Sequence, residues 1–234
     1  MNIGIVMFYD RAIESYGKLN YQINKHYCEK HNFKLILSTD KKLQHRHSAW
    51  ERIPLLLENI SNYDYLMWID ADAFFYEDAK NIVEIINSHP DVNFIFSNDI
   101  GDKHINSGVF IVKHTEYSVA FLKRWLYDEE LYKKNPHPGW WDQGVLIDMY
   151  NKNILDIREN CVHLNYGILQ HFYDNDKVEN VSLIYHLAGR SAAKRCEVSK
   201  QYLRILKIDG FDLLPETQTT CVPTYTYKFG HKRL

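Results

Sequence analysis

Asp70 and Asp72 stand two residues apart in an otherwise apolar run, YLMWIDADAFFYE, Tyr65 to Glu77. Burying a charge is costly unless it is paired or binds a metal. The pair reads either as a solvated turn or helix cap, or as oxygen ligands for a hard divalent cation. Mg²⁺ or Mn²⁺ takes one or two carboxylates together with substrate phosphates. The apolar flanks favour the second reading, since a plain surface turn would not be framed by WI and AFFY. His186, in IYHLAGR, is a hydrogen-bonded core residue or, if the fold brings it beside Asp72, an imidazole that suits Mn²⁺. Gly189, Arg190 and Lys194 follow it, small and cationic residues that would admit and neutralise a diphosphate.

Two further stretches carry chemistry. In WWDQG, Asp142 and Gln143 pair a carboxylate with an amide, a combination able to stabilise positive charge at the anomeric carbon of a sugar. Asp142 would serve equally as a helix cap. Trp140 and Trp141 either pack in the core or offer faces on which a sugar stacks. In NSGVFIVK, Gly108 lets a ligand or strand approach the backbone closely, and Asn106 offers both donor and acceptor atoms. The alternative there is a turn entering a strand.

The elements that must position these residues alternate. IGIVMF (Ile3–Phe8) is a continuous apolar run, as in a strand buried on both faces. Tyr16, Leu19, Ile23 and Tyr27 recur at helical spacing. FKLILS (Phe33–Ser38) reads as a strand, and His47–Ile60 as a helix. In that helix Ser48 and Glu51 have capping-box spacing, and Pro54 kinks it or marks a later start. Further strands are expected at Tyr63–Asp70, Val92–Ser97, Asn106–Lys113 and Ser182–Gly189. Helices are expected at Asn81–Asn87, after Thr115, after the Asn135–Gly144 loop, and over Ser191–Lys207. This order predicts an α/β sheet covered by helices, with ligands gathering at the carboxyl ends of strands. Tyr9–Asp10, Asp70–Asp72 and His186–Gly189 all fall at such ends.

Bulk properties exclude several classes. The chain has 234 residues, 45% apolar, enough for one large domain or two small ones with a sizeable core. A net charge of −2 gives no global basic field for nucleic acid or anionic membrane. The 17 Tyr and five Trp suit a binder of flat, hydroxyl-rich ligands, although packing accounts for most of them. The four cysteines, Cys28, Cys161, Cys196 and Cys221, form no CxxC pair, and reduced thiols are expected. No apolar run reaches spanning length, and MNIGIVMFYD lacks the features of a signal peptide, so a soluble, cytoplasmic protein is expected. The sequons at Asn59 and Asn180 say little about compartment.

These stretches occur together and in order, with YCEKH (Tyr27–His31) and WERIP (Trp50–Pro54) ahead of them. Over roughly residues 27–190 the chain resembles the retaining glycosyltransferases of the GMA12/MNN10 galactosyl- and xylosyltransferase group, glycosyltransferase family 34. The resemblance implies a GT-A fold, a Rossmann-like mixed central sheet flanked by helices, in one domain over 1–234. Its donor-binding half would cover about 1–100, its acceptor-binding half about 101–210, and a tail 211–234. It implies a UDP-sugar or other nucleotide-sugar donor, Mn²⁺ or Mg²⁺, and a glycan or glycoprotein acceptor. Asp72 and His186 would ligate the metal, with Asp70 shared between metal and ribose. Phe8 and Tyr9 would lie near the nucleobase and Arg52 on the donor side. Asn106 and Ser107 would line the sugar pocket, and Asp142 and Gln143 the anomeric centre.

The chain departs from the family pattern at three points. The Asn-Lys pair is one residue out of register at Asn24–Lys25. Trp141 replaces the acid before Asp-Gln. The phosphate-binding Lys has no direct match, so Arg190 or Lys194 must substitute. The glycogenin-like family 8 shares the DxD, NSGV, DQ and late His-x-x-Gly features, and the WERIP stretch favours family 34. The rival classes are a non-catalytic carbohydrate-binding module and a metal-free hydrolase with two carboxylates.

Overall fold

A computed structural model of the chain describes residues 1–76, 82–99, 104–172 and 183–210. Strand β1 (Ile3–Phe8) leads into helix α1 (Glu14–His31) and strand β2 (Lys34–Ser38). A 3-10 turn, Ser48–Glu51, precedes α2 (Arg52–Asn59). Next come β3 (Tyr65–Ile69), β4 (Ala73–Phe75), α3 (Ile82–Asn87), β5 (Phe94–Asn98) and β6 (Ile105–Lys113). Helices α4 (Glu116–Tyr127), α5 (Glu129–Lys133) and α6 (Trp141–Asn151) follow. The chain continues through α7 (Ile157–Asn160), β7 (Cys161–Leu164), β8 (Gln170–Phe172), β9 (Ile184–His186) and α8 (Ala192–Ile205).

Six strands form a mixed sheet in the order β2-β1-β3-β6-β5-β7. β1 runs parallel to β2 and β3, β6 runs antiparallel to β3 and β5, and β7 is parallel to β5. Side chains alternate between two buried faces, which is why β1 has no polar residue. Ile3, Ile5 and Met7 pack with Tyr16 and Tyr27 of α1, whereas Val6 and Phe8 pack with Trp50, Phe121 and Val145 of the opposite layer. A second sheet, β4-β9-β8, branches from the first at Asp70–Asp72. Its strands are short, and Ala73 pairs with His186 across an antiparallel ladder. The apolar flanks of Asp-Ala-Asp are thus two strands in two different sheets, with the acids at the corner between them.

The strands foreseen around 3–8, 33–38, 63–70, 92–97 and 106–113 are present within a residue or two. Thr115 caps α4, its Oγ1 accepting from Ser118 N at 3.1 Å, and Ser191 caps α8. Two expectations need correction, and one alternative is resolved. Ser48 does not cap a helix, because its hydroxyl is taken by Asp10 Oδ2 at 2.5 Å and His47 Nδ1 accepts from Ala49 N instead. The helix over 47–60 opens as a 3-10 turn and becomes α-helical only at Arg52, the later start that Pro54 offered, and Pro54 lies in the first turn of α2, where its missing N–H costs little. Helix α6 begins at Trp141, so Asp142 and Gln143 lie in its first turn rather than on the loop. Strands β4, β7 and β8 were not foreseen. Glu77, Asn81, Asn180, Ser182, Cys221 and the tail 211–234 lie outside the described residues. Cys28, Cys161 and Cys196 are free thiols. Among the described residues no helix is long and apolar enough to cross a membrane.

Candidate active site

Asp70 follows the last residue of β3, and its backbone N donates to Gly108 O at 2.9 Å, so it is fastened to β6. A turn then closes as Ala73 N donates to Asp70 O at 2.9 Å. Helix α1 holds this turn with two fully buried amides four residues apart. Asn20 Nδ2 donates to Ala71 O at 2.8 Å, and Asn24 bridges Ala73 O and Phe75 N. Asn20 Oδ1 in turn accepts from the Ser199 hydroxyl of α8 at 2.6 Å. Asn20 went unnoticed in the sequence, and Asn24 was noted only as out of register. The signal was there, as two Asn four residues apart inside an apolar helical stripe must be buried polar groups with partners.

The pairing of β4 with β9 carries His186 to the acids. One carboxylate oxygen of Asp70, one of Asp72 and a ring nitrogen of His186 all lie within 4.8 Å of one another. His186 is 3% exposed, and its Nδ1 lies 2.7 Å from Gln170 Oε1 of β8. With its proton on Nδ1, the ring turns the Nε2 lone pair toward Asp72 Oδ1, 3.2 Å away. A lone pair facing a carboxylate oxygen calls for a proton or a cation between them. Gly108 forms the floor, where a Cβ would fall 2.4 Å from His186 Cε1 and 2.9 Å from Asp70 Oδ2. Two carboxylates, one imidazole and a floor kept clear of side chain fit a Mn²⁺-type ion.

Arg52 stands behind this group with its side chain 5% exposed. Its Nη2 is 3.1 Å from Asp70 Oδ1, its Nε is 3.2 Å from Asp142 Oδ2, and its Nη1 donates to Ser107 Oγ at 2.6 Å and to Ser107 O. Arg52, expected on the donor side, is thus occupied in joining the two acids. Asp142 is 1% exposed and lies behind Arg52, not open to the cleft. Burial pushes its carboxyl up to about 6, against the opposing pull of Arg52. Gln143 is half-buried, and its Oε1 accepts from Ser107 N at 3.0 Å. Asn106 turns its Oδ1 back to Gly108 N at 2.8 Å. The β5–β6 register breaks here, between Phe96/Phe110 and Ser97/Asn106, so residues 107–109 bulge and lend their backbone groups to Asp70, Gln143 and Asn106.

The two carboxylates of the turn are set apart electrically. Burial raises Asp70 against the pull of Arg52. Burial also works to raise Asp72, but the Arg195 guanidinium opposes it and holds that carboxyl well below the usual range. Arg195 is a cation beside Asp72 that sequence reasoning did not single out; the cations it named, for the diphosphate, were Arg190 and Lys194. Its Nη2 lies 2.6 Å from Asp72 Oδ2, whereas Lys194 Nζ is bonded to Glu197 at 3.0 Å. Gly189, at φ +72°, lies in the turn where Arg190 N donates to Leu187 O.

Phe8 and Tyr9 are buried at 4% and 6%, and Tyr9 lies flat against Gly17, where a Cβ would meet its ring at 2.6 Å. Trp140 and Trp141 are each 38% exposed. The Trp141 ring stacks on His47 at 3.7 Å between centroids, within 4° of parallel. Trp141 adopts φ 47°, ψ −117°, a strained backbone held by Asn135 Nδ2 donating to its carbonyl at 2.9 Å.

A mixed sheet with two acids at the end of β3, a second small sheet and a late histidine is the GT-A fold of glycosyltransferases. A glycosyltransferase involved in the glycosylation of the major capsid of PBCV-1 superposes with a TM-score of 0.67 at 17% identity, over 86% of this chain and 100% of that one. The apo-form glycosyltransferase GlyE of Streptococcus pneumoniae TIGR4 superposes with a TM-score of 0.57 at 10% identity, over 91% of this chain and 62% of that one. Residues 24–154 match the family described as "Protein of unknown function, DUF273", and the chain belongs to that family. It is also similar to an uncharacterized alpha-1,2-galactosyltransferase of Schizosaccharomyces pombe (strain 972 / ATCC 24843), at 22% identity over 217 residues, 73% of this chain and 55% of that protein. The chain thus spans about half the length of the curated relative it matches.

Proposed function

We propose that this chain is a metal-dependent retaining glycosyltransferase, which moves a hexose or pentose such as galactose, xylose or glucose from a nucleotide-diphosphate donor to a hydroxyl of a glycan acceptor. The observation that carries the reading is the convergence of Asp70, Asp72 and His186 ligand atoms within 4.8 Å, over a glycine floor at the carboxyl end of β3. Kinship with family 34, and retention of configuration, belong to the same reading. So do the single-domain layout over 1–234, with donor half, acceptor half and tail as expected, and a site of action free in the cytoplasm.

Asp70, Asp72 and His186 would hold Mn²⁺ or Mg²⁺, which when bound supplies Lewis-acid stabilisation of the departing diphosphate. Arg52 keeps Asp70 and Asp142 fixed through one buried guanidinium. Gln143, pinned by Ser107 N, presents its amide where positive charge develops on the donor sugar. Asp142 acts through Arg52 rather than by contact. Asn106 and Ser107 line the sugar pocket, and Gly189, Arg190 and Lys194 lie along the diphosphate. Phe8 and Tyr9 lie on the nucleobase side, at the carboxyl end of β1. Trp140 and Trp141 offer the half-exposed faces on which an acceptor sugar stacks. The proton of the attacking hydroxyl goes to the departing phosphate, so no side-chain base is needed.

A thermal-shift screen of UDP- and GDP-sugars with and without Mn²⁺ tests the reading. One donor should raise the melting temperature in the presence of Mn²⁺ and fail to do so with EDTA. Stabilisation by free oligosaccharides alone, with no nucleotide sugar effective, would replace this reading with a carbohydrate-binding module.

A further inference from the structure

Asp72 already has a cation. Its Oδ2 lies 2.6 Å from Arg195 Nη2, while its Oδ1 faces His186 Nε2. Arg195 is fixed from three sides. Its Nη1 donates to the Tyr16 hydroxyl at 2.9 Å, its Nε donates to Leu187 O at 3.2 Å, and its guanidinium stands 4.8 Å from the Tyr16 ring centroid. Arg52 plays the corresponding part for Asp70 and Asp142. Three carboxylates therefore face two fixed guanidinium groups, an excess of one negative charge. A divalent ion alone would turn that into an excess of one positive charge. A nucleoside diphosphate adds at least about two negative charges and returns the site to the net negative charge it had before the ion entered.

We propose that Arg195 is an internal counter-cation of Asp72 that makes divalent-metal binding at Asp70, Asp72 and His186 conditional on a nucleoside diphosphate. The proposal rests on the metal-site reading above. Arg195 occupies Asp72 Oδ2 and repels the ion, and an arriving diphosphate competes with Asp72 for the same guanidinium and so frees that oxygen for the ion; this sharing couples the two ligands, and the coupling is reciprocal. A guanidinium suits this task because it keeps its charge whatever ion enters beside it. Its anchors on α1 and on the segment after β9 keep it from swinging away to relieve the repulsion.

Calorimetric titration of MnCl₂ into the whole chain, with and without saturating UDP, tests this in the wild type, Arg195→Gln and Tyr16→Phe. Wild type should bind Mn²⁺ at least ~30-fold more tightly with UDP than without, within the usual range of coupling between sites. Arg195→Gln should bind Mn²⁺ alone about tenfold more tightly and lose about tenfold of the coupling. Tyr16→Phe keeps the charge but frees it from one anchor, and should move both quantities the same way by about threefold. It carries the test if Arg195→Gln does not fold. Loss of structure would weaken Mn²⁺ binding in both conditions, the opposite sign. Unchanged affinity for Mn²⁺ alone, or unchanged coupling, in a folded variant overturns the proposal. Absence of Mn²⁺ binding in every form, with and without UDP, overturns the metal-site reading and this proposal with it.

Discussion

Arg52 joins two acids that come from distant parts of the chain, and its removal should show that link. Arg52→Met leaves Asp70 and Asp142 without their shared counter-charge and should destabilise the fold by about 3–5 kcal/mol. Adding Asp142→Asn should recover part of that loss, and strict additivity in urea denaturation would deny the link. Asp142 also predicts a pH dependence. Its carboxyl is raised to about 6 in the folded state, mainly by burial. A raised carboxyl binds its proton more readily in the folded than in the unfolded chain. Stability is therefore lost as pH rises from about 4 to about 6, and the loss is complete above that. Asp142→Asn removes this slope, so its stability relative to wild type should rise by about 2–3 kcal/mol between pH 4 and 7. A difference that stays flat with pH would contradict the burial argument. Gln143→Ala should lower kcat far more than donor affinity, and a loss in affinity alone would remove Gln143 from the catalytic set.

Elements fix these side chains through backbone contacts that residue types alone do not announce. Helix α1 grips the Asp-Ala-Asp turn with Asn20 and Asn24, and the β6 bulge offers Gly108 as a floor. Gly108→Ala forces a methyl against His186 and Asp70, which should cost about 1–3 kcal/mol and weaken Mn²⁺ binding. A variant with wild-type Mn²⁺ affinity by calorimetry would show that the floor does not matter. β1, α1, β3, β6, α4 and α8 were legible because each carries a long apolar period or a clear cap. β4, β7 and β8 were not, because three or four residues hold no period and their pairing is settled by partners far along the chain. Thus AFFY looked like a continuation of apolar flank when it is a strand of a second sheet. Arg195 was illegible for a related reason, since on a helix rich in Lys and Arg a basic residue reads as solvated. Only the packing of α8 on α1 turns it inward, toward Tyr16 and Asp72.

At the scale of the molecule, two sheets meet at one turn, and the site lies where they meet. The order of DxD, NSGV, DQ and HLAG in the sequence was enough to point to the GT-A fold and to bring Asp70, Asp72 and His186 under one expectation. It could not show that Asp142 stands behind Arg52, because burial depends on how α2 and α6 pack together on one face of the sheet. Residues from β3, β9 and α8 share the proposed metal and diphosphate, so ligands that bind only the folded chain should stabilise all of it together. Mn²⁺ with UDP at about 100 times the dissociation constant should add about 2.7 kcal/mol. The most direct test of the account is UDP release from a panel of UDP-sugars by the wild type and by Asp72→Asn, each with Mn²⁺ and with EDTA. The account predicts release from at least one donor that requires Mn²⁺ and is lost in Asp72→Asn while the variant keeps the circular dichroism spectrum of the folded wild type. Release that persists in EDTA or in a folded Asp72→Asn variant would contradict it.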